Sequence, residues 1–186
     1  VMETGEVSKP CEALKVRTLP KKKVVDITDF GAVGDGKTDC TAAIQTALDR
    51  AGEVFNLNRR AFILTDSGVP REYAEQIANA CTDSTIMCVK MSESAKSLDV
   101  LRSVLERMLE YGMSRSDCLI AVGGGVVGDL GGFAASVFMR GIDFYNVPTT
   151  LLSMVDSSIG GKCAVNLSGV KNIVGSFHQP RGGLID

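Results

Sequence analysis

The sequence has no tryptophan, only three tyrosines and seven phenylalanines, so aromatics make up 5% of its 186 residues. That scarcity argues against a β-sandwich, whose packing leans on aromatic side chains. It also lacks any Cys-x-x-Cys pair. The six cysteines, Cys11, Cys40, Cys81, Cys88, Cys118 and Cys163, are scattered, which excludes a zinc ribbon and a thioredoxin-type redox motif. A chain of this size with 45% apolar residues needs no disulfide staples, so free and mostly buried thiols are expected. No apolar run approaches the roughly 20 residues that span a bilayer. The opening VMETGEVSKP has no apolar stretch of the signal-peptide kind, and a cytoplasmic protein without membrane contact is expected. Neither sign of charge dominates, with 20 Lys and Arg against 22 Asp and Glu, so nothing favours a nucleic-acid partner. The single histidine, His178, sits on an apolar segment and reads as structural rather than as a ligand.

What is present in quantity is glycine, at 20 residues, set within alternating strand and helix patterns. The first twenty or so residues, with Pro10, Pro20 and the basic run Lys21, Lys22, Lys23, read as an irregular leader. From Val24 a short strand and a Gly-rich turn precede a helix, capped by Asp39 or Thr41, with Ala43, Ile44, Ala47 and Leu48 at helical spacing. Beyond residue 53 the text repeats strand then helix. RAFILTD predicts a strand, followed by an amphipathic helix with Tyr73, Ile77 and Ala80 on its apolar face. STIMCVK predicts a second strand, followed by a long helix whose stripe is Leu98, Leu101, Leu105, Met108 and Leu109, closed by Gly112. CLIAVGGG then gives strand and glycine turn, a helix starts near Val126, and DFYNVPTTLL gives a further strand. Such alternation implies an α/β fold, a Rossmann-like parallel sheet flanked by helices. Two regions follow: 1–48, foreign in pattern, and 49–186, one nucleotide-binding domain.

Two stretches carry candidate chemistry. At Gly123, Gly124 and Gly125 a buried strand runs into a helix, so the backbone can approach a ligand closely. The helix's first amides and its dipole favour an anion such as a pyrophosphate. Asp129, near the first helical turn, can accept hydrogen bonds from a sugar hydroxyl. Downstream, VPTTLLSMVDSSIGGKCAVNLSGVKN reads as a polar loop after a strand, where α/β proteins place their chemistry. It supplies the hydroxyls of Thr149 and Thr150, the carboxylate of Asp156, the ammonium groups of Lys162 and Lys171, and Asn172.

GGGVVGDLGGFAASVFMRG, VPTTLLSMVDSSIGGKCAVN and KNIVGSFHQP closely resemble the 3-dehydroquinate synthase family, and RRAFILTDSGVPREYAEQIA resembles its opening strand and helix. The resemblance implies an NAD-binding Rossmann-like domain that is followed, in the family, by a helical domain holding zinc or cobalt. The metal ligands of that helical domain are expected to lie beyond Asp186, leaving a chain inactive by itself. It implies conversion of 3-deoxy-D-arabino-heptulosonate 7-phosphate to 3-dehydroquinate and phosphate, in the shikimate pathway, by a homodimer. By the same resemblance Asp66 would contact the adenosine ribose, and Glu93 and Lys96 would lie along the adenosine and pyrophosphate. Gly124, Gly125, Val126 and Asp129 would hold the pyrophosphate and nicotinamide side, with Thr149 and Thr150. Asp156, Lys162, Lys171 and Asn172 would face the phosphorylated sugar acid and the nicotinamide, and Arg140 would reach the substrate phosphate from a neighbouring subunit. Residues 24 to 48 resemble instead the N-terminal segment of polygalacturonases and other pectate-lyase-like β-helix proteins. The alternatives are a polyol or iron alcohol dehydrogenase-like domain, a non-catalytic fusion fragment, and a β-helix fragment.

Overall fold

The computed structural model describes residues 23–26, 31 and 58–185. Most of the expected leader, the helix expected around Ala43 to Leu48, Cys11, Cys40 and the junction at 49 lie outside the described residues, while Lys23 of the leader's basic run begins a strand.

Six strands form one sheet: β1 (Lys23–Asp26), β2 (Arg60–Asp66), β3 (Asp83–Val89), β4 (Cys118–Gly123), β5 (Asp143–Pro148) and, last in the chain, β8 (Gly182–Ile185). Their spatial order is β1-β8-β5-β4-β2-β3, and every pairing is parallel. Burial follows position in the sheet. The central strand β4 is buried at every residue, which is why CLIAVG is a continuous apolar run, whereas edge strand β3 is buried only at Val89. The strand at 23–26 joins the same sheet, hydrogen-bonded along β8 with Lys23 opposite Gly182 and Asp26 opposite Ile185.

Alternate residues of β2 feed two cores on opposite faces of the sheet. Ala61 and Ile63 pack with Ala74 and Ile77 of helix α1 (Arg71–Ala80), while Phe62 and Leu64 pack with helices α2 (Leu98–Glu110) and α3 (Gly125–Val137). Ser97 caps α2 through its side chain, which accepts from the Val100 amide, and Gly112 ends it with φ at +71°.

The helix faces differ from those expected. On α1 the buried residues are Ala74 and Ile77, and Tyr73 is 45% exposed. On α2 they are Leu101, Val104 and Met108, while Leu98 and Leu109 face outward. In both helices helical spacing alone extends the stripe too far.

The polar stretch expected as a loop is mostly ordered. A π-helical turn, Ser153–Ser157, leads into an antiparallel hairpin of β6 (Lys162–Leu167) and β7 (Val170–Phe177). The hairpin turns at Ser168 and Gly169, both with positive φ, the conformation that a two-residue primed turn requires. Its buried residues Cys163 and Val165 cover the outer side of α3. Helix α3 is therefore enclosed on two sides, which accounts for adjacent glycines in a helix. A Cβ on Gly131 would sit 3.0 Å from Leu119 of the sheet, and one on Gly132 would sit 2.2 Å from the Cys163 sulfur of the hairpin. The doubled glycine costs helix propensity and gains close packing on both faces.

Of the described cysteines, Cys81, Cys88, Cys118 and Cys163 are free thiols; Cys118 and Cys163 are buried and Cys88 is exposed. Among the described residues no helix is long and apolar enough to cross a membrane.

Candidate functional site

The chain crosses from edge strand β3 over β2 to β4, so its direction of winding reverses between β2 and β4. Ligands of doubly wound sheets bind outside the carboxyl ends of the strands at such a reversal. Asp66 ends β2 and the glycine turn ends β4, so both flank this crevice.

At the glycine turn, a Cβ on Gly123 would come within 2.7 Å of Val127, so the strand meets the helix more closely than any side chain permits. Gly124 occupies the N-cap of α3 and no side chain caps the helix. The first-turn amides are thus left for a ligand, and their sum with the helix dipole attracts an anion. The helix begins at Gly125, one residue before the expected start near Val126. Asp66 is buried and its Oδ1 accepts from the Gly68 amide at 2.8 Å, which fixes the carboxylate at the strand end. The Thr149 amide donates to the Gly123 carbonyl at 3.1 Å, and the Thr150 and Ser153 hydroxyls bond each other at 2.8 Å. Both threonines are thereby held beside the glycine turn.

Between α3 and the hairpin lies a cleft of about 440 Å³, lined on one side by Asp129, Asp156 and Ser157 and on the other by Lys162, Asn172 and Phe177. At its inner end Lys96 is 4% exposed and donates to Asp129 Oδ2 at 2.6 Å and to Asn172 Oδ1 at 2.5 Å. Burial pushes the Asp129 carboxyl above the usual range, and the hydrogen bond from Lys96 only partly opposes this. Burial also pushes the Cys163 thiol up to about 11, so that lining sulfur is an inert neutral group rather than a nucleophile. Glu93 is exposed at the rim and accepts from the Asn166 side-chain amide at 3.1 Å. Lys171 is exposed beside Asn172 at the hairpin tip.

The predicted residues thus fall into three groups. Asp129, Asp156, Lys162 and Asn172 line one cleft, with Lys96 holding its inner end. Asp66, Gly124, Gly125, Val126, Thr149 and Thr150 gather at the carboxyl ends of β2, β4 and β5. Arg140 stands apart, exposed in the turn after α3, at the other end of that helix from the glycines and outside the cleft lining. Reading the sequence missed Ser157, Phe177 and Asn166. The last two lie on the hairpin, whose strands KCAVNL and VKNIVGSF show no clean apolar and polar alternation to mark them.

His178 lies away from the cleft, with its Nε2 3.0 Å from the Ile142 carbonyl and its ring stacked on Phe144. Its role is structural.

A sequence profile described as 3-dehydroquinate synthase N-terminal matches residues 86–186. The chain belongs to the 3-dehydroquinate synthase family. The 3-dehydroquinate synthase of Clostridium botulinum (strain Alaska E43 / Type E3) is 47% identical over 132 residues, covering 69% of this chain and 38% of that protein. That of Thermoanaerobacter pseudethanolicus is 43% identical over 147 residues, covering 75% and 41%. The chain therefore spans about two fifths of the length of these relatives. Among solved structures, 2-deoxy-scyllo-inosose synthase complexed with carbaglucose-6-phosphate, NAD+ and Co2+ superposes with a TM-score of 0.70 at 33% identity, over 75% of this chain and 40% of that one. ValA, a 2-epi-5-epi-valiolone synthase from Streptomyces hygroscopicus with NAD+ and Zn2+ bound, gives 0.71 at 27% identity over 94% and 45%. Maleylacetate reductase from Agrobacterium tumefaciens, at 18% identity and a TM-score of 0.63, shares the fold alone.

The uncapped helix at a side-chain-free turn, near a strand-end carboxylate at the winding reversal, fits a dinucleotide, the class of ligand that the solved 2-deoxy-scyllo-inosose synthase and ValA hold as NAD+. Among the described residues, no three His, Cys, Asp or Glu side chains come together as a ligand set.

Proposed function

We propose that this chain is the NAD-binding portion of a 3-dehydroquinate synthase, which converts 3-deoxy-D-arabino-heptulosonate 7-phosphate to 3-dehydroquinate and phosphate in the shikimate pathway. The observation that carries this reading is that one helix serves two features. Its uncapped N-terminus lies at Gly124 and Gly125, and one turn on its Asp129 lines a cleft whose other wall is a hairpin bearing Lys162 and Asn172. In this reading the first-turn amides of α3 take the pyrophosphate and Asp66 takes the adenosine ribose, with Glu93 and Lys96 along the same half of the cofactor. Asp129, Thr149 and Thr150 orient the nicotinamide side. NAD, when bound, supplies a reversible hydride acceptor that acidifies the neighbouring carbon-bound proton of the substrate. Lys162 and Asn172 neutralise and orient the phosphate that leaves, with Lys171 adding positive potential, while Asp156 orients the sugar acid. The hairpin shields one side of the cleft from water. Arg140 is exposed and outside the lining of its own cleft, which supports its service to a second copy in a cytoplasmic homodimer.

Alone, the chain binds NAD and does not turn the sugar phosphate over, because its described residues offer no metal-ligand set. Titration calorimetry with NAD, paired with a phosphate-release assay on the chain by itself, tests both parts. Heat of binding without phosphate release is expected. Phosphate release by the chain alone would overturn the inactivity, and the absence of binding would overturn the cofactor site.

A further inference from the structure

We infer that Asn166 is a positioning residue that fastens the hairpin tip to the 93–97 segment and so sets Asn172 and Lys96 in place. This deepens the cofactor reading above and rests on it for the ligand, though not for the geometry. The ladder between β6 and β7 pairs Val165 with Val174 and then Leu167 with Val170, so Asn166 faces a bulge made of residues 171 to 173. Left out of that ladder, its main-chain N–H donates instead to the Lys96 carbonyl at 2.7 Å, and it bridges to Ser97.

Its side chain completes the junction in two directions. Nδ2 donates to Glu93 Oε1 at 3.1 Å, and Oδ1 accepts from the Asn172 amide at 2.9 Å. Asn172 is held at φ +54°, a left-handed backbone that asparagine tolerates better than most residues, and it presents Oδ1 to the Lys96 ammonium. One amide side chain therefore touches both strands of the junction that joins Glu93, Lys96 and Asn172. Only a side chain with both a donor and an acceptor at this reach can make the two bonds. Aspartate keeps the acceptor but loses the donor and meets Glu93 with like charge. A serine hydroxyl is too short to make both.

The chemistry gives a reciprocal test. In Asn166→Asp, the repulsion from Glu93 is expected to free the tip. In Asn166→Asp combined with Glu93→Gln, the amide now comes from residue 93 and the acceptor from residue 166, so the bond is restored with its roles exchanged. Amide hydrogen exchange across residues 165 to 173, measured without ligand on the whole chain, reads the fastening directly. Exchange there is expected to rise roughly tenfold in Asn166→Ala and Asn166→Asp and to return most of the way in the double variant, with the exchange of β4 unchanged throughout. The Kd for NAD is expected to weaken by about fivefold to tenfold in Asn166→Asp and to improve again in the double variant relative to Glu93→Gln alone. Unchanged tip exchange in both single variants, or no recovery in the double, overturns the proposal, since a merely structural asparagine would not be rescued by exchanging donor and acceptor. If the unaltered chain binds no NAD, the cofactor reading fails while the exchange data still decide the fastening.

Discussion

Two aspartates at opposite ends of the sheet show how differently the same side chain is used. At the carboxyl end, Asp129 contacts one buried cation, Lys96, and burial carries its carboxyl above the usual range. At the amino end, burial would raise Asp143 too, but hydrogen bonds from Arg181 at 2.7 Å and an ion pair with Arg59 at 2.8 Å bring it below that range. Arg59 in turn donates to the Tyr145 hydroxyl and the Ser116 carbonyl, and Arg60 ties Asp83 to the α2 terminus through Gly112. Charge at the amino end is tied off by cross-links between strands. Charge at the carboxyl end is concentrated, short of partners and set beside a cleft, the pattern expected where a ligand completes the set.

The largest effect is expected where the two faces of α3 meet their neighbours. Gly132→Val should cost about 3 kcal/mol by overpacking against Cys163 and Phe144, read by urea denaturation. In the milder Gly132→Ala, adding Cys163→Ala should recover part of the loss, because it is the sulfur that collides.

Breaking the tied end comes next. Asp143→Asn should destabilise by about 2 kcal/mol at neutral pH, since two guanidinium groups lose a charged acceptor. The folded carboxyl lies below its unfolded value, so its contribution is present above about pH 4 and fades as pH falls through the folded value. The stability difference between the two proteins, followed by denaturation at several pH values, should therefore close on acidification. A gap that persisted or widened would show that Asp143 is not the clamp described.

At the open end, Gly125→Ala should leave the melting temperature nearly unchanged, because the added methyl would sit 3.4 Å from the Ser157 hydroxyl, an ordinary contact. It should nonetheless weaken NAD binding by about tenfold in calorimetry, by filling the cradle. Equal losses of stability and affinity would merge the two ends into one structural category. Smallest of all, Arg102→Ala should leave the urea midpoint essentially unchanged, as its exposed pair with Glu106 is of the i,i+4 surface kind.

Much of this was legible in the residues. Alternating strand and helix text, the continuous apolar run of β4 and the glycine turn place most of the sheet, its three flanking helices and one wall of the cleft. The helix faces were read too broadly, because spacing does not say which residues of a stripe the neighbouring elements cover, and Leu98, Leu109 and Tyr73 are left open. The hairpin was hidden because it packs on α3 rather than in the sheet, so its strands are polar on the side facing solvent and the cleft and pass for loop. Asn166 carried no signal of its own. Its importance arises from a bulge in the partner strand, a register event that single residues do not announce.

The sixth strand, Lys23–Asp26, meets the sheet through main-chain hydrogen bonds to Gly182–Ile185. A ladder of that kind asks its guest for extension, an available amide row and no interior proline, and is largely indifferent to which side chains come along. The border beside β8 is in that sense a socket rather than a lock, set by main-chain geometry more than by the identity of the strand that fills it.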